Sequence, residues 1–68
     1  MVMIKTTEFR EIGWGAYASA RIEVSTDYSA GITSVSVDDD LVSQHASPVA
    51  AIEAALDEPT AEYIIDRL

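Results

Sequence analysis

From Ala16 to Ser25 the chain alternates without a break. Ala18, Ala20, Ile22 and Val24 take one parity, and Tyr17, Ser19, Arg21 and Glu23 take the other. Period 2 is the repeat of a strand with one face buried and one face wet, so this stretch predicts a half-buried strand of an antiparallel sheet. Such a strand needs neighbours along its edges and an apolar layer over one face. Residues 2–9, VMIKTTEF, are β-branched and aromatic and predict a preceding strand. Val2, Ile4 and Thr6 would share one of its faces, and Met3, Lys5, Thr7 and Phe9 the other. Gly13-Trp14-Gly15 separates the two strands as a turn or bulge. Thr26 to Gly31, TDYSAG, carries turn residues, and residues 32–37, ITSVSV, predict a third strand. Short links between three successive strands favour a meander.

The period then changes. Asp38-Asp39-Asp40 is expected to end the third strand and open a loop to Ser47. Ser47-Pro48 is a helix start, with Ser as N-cap and Pro at the first helical position. Val49, Ile52 and Leu56 follow at helical spacing, with Ala50, Ala51, Ala54 and Ala55 adding helix propensity. Glu58-Pro59 is expected to stop this helix and Thr60 to cap a second. Ala61, Ile64, Ile65 and Leu68 then form a stripe opposite Glu62 and Asp66. A strand from Tyr63 to Leu68 is the competing reading, but the stripe is cleaner at period 3.6 than at period 2.

The expected class is α+β, in the order β-β-β-α-α. A three-stranded antiparallel sheet is followed by one or two short helices packed on one face, in a single small acidic domain over 1–68. Ala18, Ala20, Ile22, Val24, Val35, Val37, Val49, Ile52, Leu56, Ile64 and Leu68 should form most of the core. That core is small. Ten of the apolar residues are alanine, leaving twenty-three larger ones in 68 residues. A chain of this length buries only about 60% of its unfolded surface. Without cysteine it has no disulfide and no Cys-based zinc site. It folds on packing alone, or gains stability from a second copy as a homodimer, or from a partner. The N-terminus lacks the basic and apolar regions of a signal peptide, and no apolar run is long enough to span a membrane. A cytoplasmic protein is the default expectation.

Charge is segregated. Residues 1–34 carry three cations against four anions, and residues 35–68 carry Arg67 alone against eight carboxylates; the whole chain carries −8. Phosphates repel such a surface, so direct nucleic-acid binding is not expected. A basic partner protein, including a nucleic-acid-binding complex, suits it better. The candidate protein-binding residues are therefore Asp38, Asp39, Asp40, Glu53, Asp57, Glu58, Glu62 and Asp66, with Trp14 and Tyr17 as an aromatic alternative. On a strand, Asp38 and Asp40 would lie about 6.6 Å apart on one face. On helices, Glu53 and Asp57, and Glu62 and Asp66, would lie one turn or about 6 Å apart. Regular carboxylates of this kind can occupy a groove built for phosphates. The blander readings are that the acids only solubilise and that Trp14 closes one end of the core.

No catalytic signature is present. His45 lies near Ser43 and Ser47, but a triad is a spatial constellation, and Ser47 is explained as a cap. The Asp run lacks the spacing of a calcium loop, and one His without Cys falls short of a zinc set, so neither metal nor cofactor is expected. The two glycines around Trp14 match no phosphate-binding loop. No motif identifies a family. In its size, charge and lack of cysteine the chain resembles phage-encoded inhibitors of bacterial defences, anti-CRISPR proteins among them. That resemblance implies a small acidic inhibitor occupying a basic surface of its partner. The β-β-β-α order with SPVAAIEAALDE is similar to the small domain of some antitoxins, which implies the alternative of neutralising a cognate toxin. The stretch from Ala20 through VAAIEAALDEPTAEYIIDRL resembles a translation-factor β-α-β unit without its glycine-rich residues.

Overall fold

The computed structural model describes residues 3–68. Strands β1 (Ile4–Arg10), β2 (Arg21–Asp27), β3 (Ile32–Val37) and β4 (Asp40–His45) precede helices α1 (Pro48–Ala55) and α2 (Glu58–Ile65). The strands form one antiparallel meander in the order β1-β2-β3-β4. The fold is thus α+β, with an antiparallel sheet followed by two helices, and the sheet has four strands rather than three. Val2 lies outside the described residues.

The additional strand comes from the acidic run. Asp38 and Asp39 have φ of 50° and 71°, and Val37 pairs with Asp40. Two positive-φ residues between a closing pair make the type I′ hairpin turn whose twist matches the flanking strands. Aspartate tolerates this region better than most residues because its short polar side chain bonds locally. Here Asp38 Oδ1 accepts the Arg21 N–H at 3.0 Å, and the Arg21 guanidinium pairs with Asp39. The loop expected from the Asp run to Ser47 is instead this strand, and its sequence, DLVSQH, has no clean alternation. The structure supplies the reason: the register shifts between Val35 and Ser36, so Val42 is an extra residue in β4.

The long alternation is only half strand. β2 begins at Arg21, and the preceding residues form turns closed by Ala18 N–H to the Gly15 carbonyl and Ala20 N–H to the Tyr17 carbonyl. Gly13 and Gly15, at φ of 87° and 76°, let the chain turn off the sheet. The Tyr17 hydroxyl then donates to the Ala55 carbonyl at 3.3 Å, satisfying one of the acceptors that α1 leaves open at its C-terminus. Ala18 and Ala20 are half-buried beside the core, not within a strand.

Within β2 the parity holds. Phe9, Ile22 and Val37 lie in one cross-strand row, and Thr7, Val24, Val35 and Ser43 in the next. Helix α1 packs over β3 and β4 and against α2. The core is Ile22, Val24, Val35, Ala51, Ile52, Ala55, Leu56, Ala61 and Ile64. Buried Thr33 shares a 3.0 Å hydrogen bond with Thr26. Val37 is half-buried, and Val49 and Leu68, expected inside, are 45% and 50% exposed. Val49 sits in the first turn of α1, and Leu68 lies past the end of α2.

Ser47 caps α1 as expected: its Oγ accepts the Ala50 N–H at 3.4 Å, with Pro48 in the first turn. The break between helices falls differently. Leu56 and Asp57 are extended, Asp57 is the N-cap of α2, and Pro59 lies in the first turn of α2 instead of ending α1. Thr60 is therefore not the cap. It is fully buried, and its hydroxyl donates to Asp57 Oδ1 at 2.7 Å. The segment after Thr60 is helical through Ile65, as the stripe predicts.

Candidate functional site

The carboxylates named from the sequence fall into two places. Asp38 and Asp39 belong to the hairpin turn. With Arg10, Glu11, Ser19, Ala20 and Arg21 they line a polar cleft of about 350 Å³. Arg21 engages both aspartates and also reaches Glu23 at 3.2 Å, so the turn is partly neutralised from within. The expected strand spacing of Asp38 and Asp40 does not occur, because Asp38 sits in the left-handed turn. Asp40 is exposed at the start of β4.

The second place is the helical layer. Glu53 from α1 and Glu58 and Glu62 from α2 surround a groove of about 300 Å³, with Leu56, Ala61 and Ile65 completing its lining. The extended link at Leu56 and Asp57 turns α2 back along α1, which brings these glutamates together. Asp57 lies off α1, so Glu53 and Asp57 do not share a helical turn; its carboxylate instead receives the Thr60 hydroxyl. Asp66 caps the end of α2, one turn from Glu62, and does not line the groove. Leu56, read from the sequence only as core, and Ile65 supply apolar lining. Their signal in the sequence is the helical stripe itself.

The aromatic pair is built into the other side of the helices. Trp14 meets Tyr63 edge to face, with ring centroids 5.6 Å apart. Arg67 lies 3.6 Å above the Tyr63 ring and donates to the Tyr63 carbonyl at 3.1 Å. Tyr17 is half-buried with its hydroxyl occupied, while Trp14 remains 37% exposed. Tyr17 and Tyr63 pack against the core, and Trp14 rests on Tyr63 at its outer side.

His45 is exposed on β4 opposite Thr33, away from the Asp38–Asp39 turn in the sheet register. Among the described residues no group of three or more His, Cys, Asp or Glu side chains could hold a metal ion. No described helix is long and apolar enough to cross a membrane. The groove between α1 and α2 carries Glu53, Glu58 and Glu62 around Leu56, Ala61 and Ile65. Compared with known proteins, the chain matches no family model, no curated protein and no solved structure.

Proposed function

We propose that the chain is a small protein-binding module of the inhibitor type, whose acidic helical face occupies a basic surface of its partner. The observation that supports this reading is the groove between α1 and α2, where Leu56, Ala61 and Ile65 lie among Glu53, Glu58 and Glu62. Leu56 and Ala61 already belong to the core, so half-buried Ile65 supplies the main apolar contact, and the surrounding carboxylates select a cationic partner and steer its approach. The complementary ligand is an amphipathic segment with apolar anchors flanked by Lys or Arg. A nucleic-acid-binding protein carries such cations on its working surface, so occupation of that surface would block it.

The test uses a helical peptide with Leu at i and i+4 and Lys or Arg beside them. Titrated into the labelled protein at low salt, it should shift amide resonances at Glu53, Leu56, Ala61, Glu62 and Ile65. Its affinity should fall as salt rises, because the charged rim is screened. The variant carrying Glu53→Lys, Glu58→Lys and Glu62→Lys should lose the binding. Reversing Asp38 and Asp39 is a poorer test, since it would set lysines against Arg21 and disturb the hairpin. Unchanged resonances in the groove at low salt would refute the reading.

A further inference from the structure

Among the described residues, nine large hydrophobics are exposed: Met3, Ile4, Trp14, Tyr28, Ile32, Leu41, Val42, Val49 and Leu68. Only six residues larger than alanine are in the buried hydrophobic core. This imbalance is greatest at one end of the sheet. Ile4 and Ile32 flank Asp27 across the strands, and Tyr28 N–H donates to the Met3 carbonyl. On the helix side, Tyr28, Pro48 and Leu68 join Lys5, Thr7, Val24 and Thr26 around a groove of about 230 Å³ beside β1.

β1 is also the bare edge of the sheet. The Tyr28–Met3 bond, 2.9 Å long, fixes which backbone groups face β2. In an antiparallel ladder, hydrogen-bonded pairs alternate with non-bonded ones. Lys5, Thr7 and Phe9 therefore bond to β2, while Ile4, Thr6, Glu8 and Arg10 turn their N–H and C=O groups outward. Among the described residues no strand pairs with that edge. β1 contains no proline and its pairing with β2 has no bulge, so its backbone geometry leaves the edge open to pairing, and Lys5, Glu8 and Arg10 are the charges it carries there. The opposite edge differs: β4 is bulged and packed under α1.

We propose that β1 pairs with β1 of a second copy, forming a twofold dimer with a continuous eight-stranded antiparallel sheet and Thr7 on the dyad. This register engages all four outward residues: Ile4 faces Arg10 of the second copy, and Thr6 faces Glu8. On the helix side Lys5 faces the second copy's Phe9, which places that ring beside the groove lined by Lys5 and Thr7. No like charges stand directly opposite. Moving the dyad to Glu8 would set two glutamates against each other, which is destabilising. Charge also selects this edge. Each chain carries −8, yet β1 carries two cations against one anion. Two copies can meet here with their acidic helical layers kept off the contact. The dimer stands independently of the proposed docking function, and it would display two acidic grooves on one side of the sheet.

Salt distinguishes the two proposals. Docking of a cationic partner weakens as salt rises, whereas pairing of two anionic chains strengthens. The first measurement is mass by sedimentation across a protein concentration series, in about 0.1 M and about 1 M NaCl, where the Debye length falls from about 10 Å to about 3 Å. The dimer of the 7.3 kDa chain should be favoured at high salt. Glu8→Pro removes an outward N–H and leaves the β1–β2 ladder intact, and should weaken dimerisation at least tenfold. A cysteine scan serves should that variant fail to fold, since the chain has no cysteine of its own. A non-bonded pair brings Cα atoms about 4.5 Å apart, within disulfide range. Thr7→Cys should therefore form a covalent dimer under mild oxidation much faster than Ala54→Cys on exposed α1. A mass of one chain under all conditions, a folded Glu8→Pro that dimerises normally, or equal cross-linking at residues 7 and 54 would each overturn the proposal.

Discussion

The two edge strands of this sheet are built on different terms. β4 is irregular in sequence and carries an extra residue, yet α1 lies over it, and the Ser43 hydroxyl donates to the Ala51 carbonyl at 2.5 Å. β1 is regular and fully registered with β2, yet it contributes no residue to the buried core, and Phe9 is only half-buried. Regular pairing alone does not bury a strand. A covering layer does, and two eight-residue helices are too short to cover four strands. Side-chain chemistry on the open face shows the same contrast. Glu8 faces Glu23 and Arg10 faces Arg21, an arrangement relieved by ion pairs along each strand, Glu8 with Arg10 and Arg21 with Glu23.

The largest test hollows the covered side. Ile52→Ala or Ile22→Ala should cost about 2–5 kcal/mol, enough to unfold a marginal domain, as read by thermal or denaturant melts. Phe9→Ala on the β1 side should cost distinctly less. Equal losses would show that β1 is as tightly packed as the strands beneath α1. Next, Ser47→Ala removes the α1 cap and should cost about 1 kcal/mol, since the freed Ala50 N–H loses its side-chain acceptor.

A comparable effect is expected where the aromatic loop meets α1. Tyr17→Phe deletes the hydroxyl donor to Ala55 and should cost about 0.5–1.5 kcal/mol in the same melts. A neutral result would mean that residues 16–20 sit on the helices through apolar packing alone. The smallest effects belong to residues with apolar stripes but little burial. Val49→Ala and Leu68→Ala should each stay within about 0.5 kcal/mol of the parent. A loss near that of Ile52→Ala for either residue would restore it to the core.

Much of the helical layer is legible in the sequence, because its signals are local. Ser47-Pro48 carries its own cap chemistry, and the stripe of Ala61, Ile64 and Ile65 distinguishes helix from strand by period. The third strand, 32–37, was legible for the same reason. The candidate groove was legible only in its parts. Glu53, Glu58 and Glu62 were visible as acids and Leu56 as a core residue. Their convergence depends on the extended link at Leu56 and Asp57, whose direction no local pattern encodes.

Sequence by itself determined the α+β class, the antiparallel sheet, the parity of β2, the start of α1 and the uneven charge. Each follows from residue type and spacing within a few positions. Tertiary structure decided the rest through contacts between distant residues. Arg21 receives Asp38 and Asp39 and holds the run as a hairpin turn, so a fourth strand forms where the Asp run was expected to open a loop. Tyr17 bonds to Ala55, thirty-eight positions away, and the first half of the alternation follows the helices instead of the sheet. Alternation records which side chains prefer burial; it leaves open whether a sheet or a helix covers them. That choice rests on which backbone and side-chain groups find partners once the layers meet.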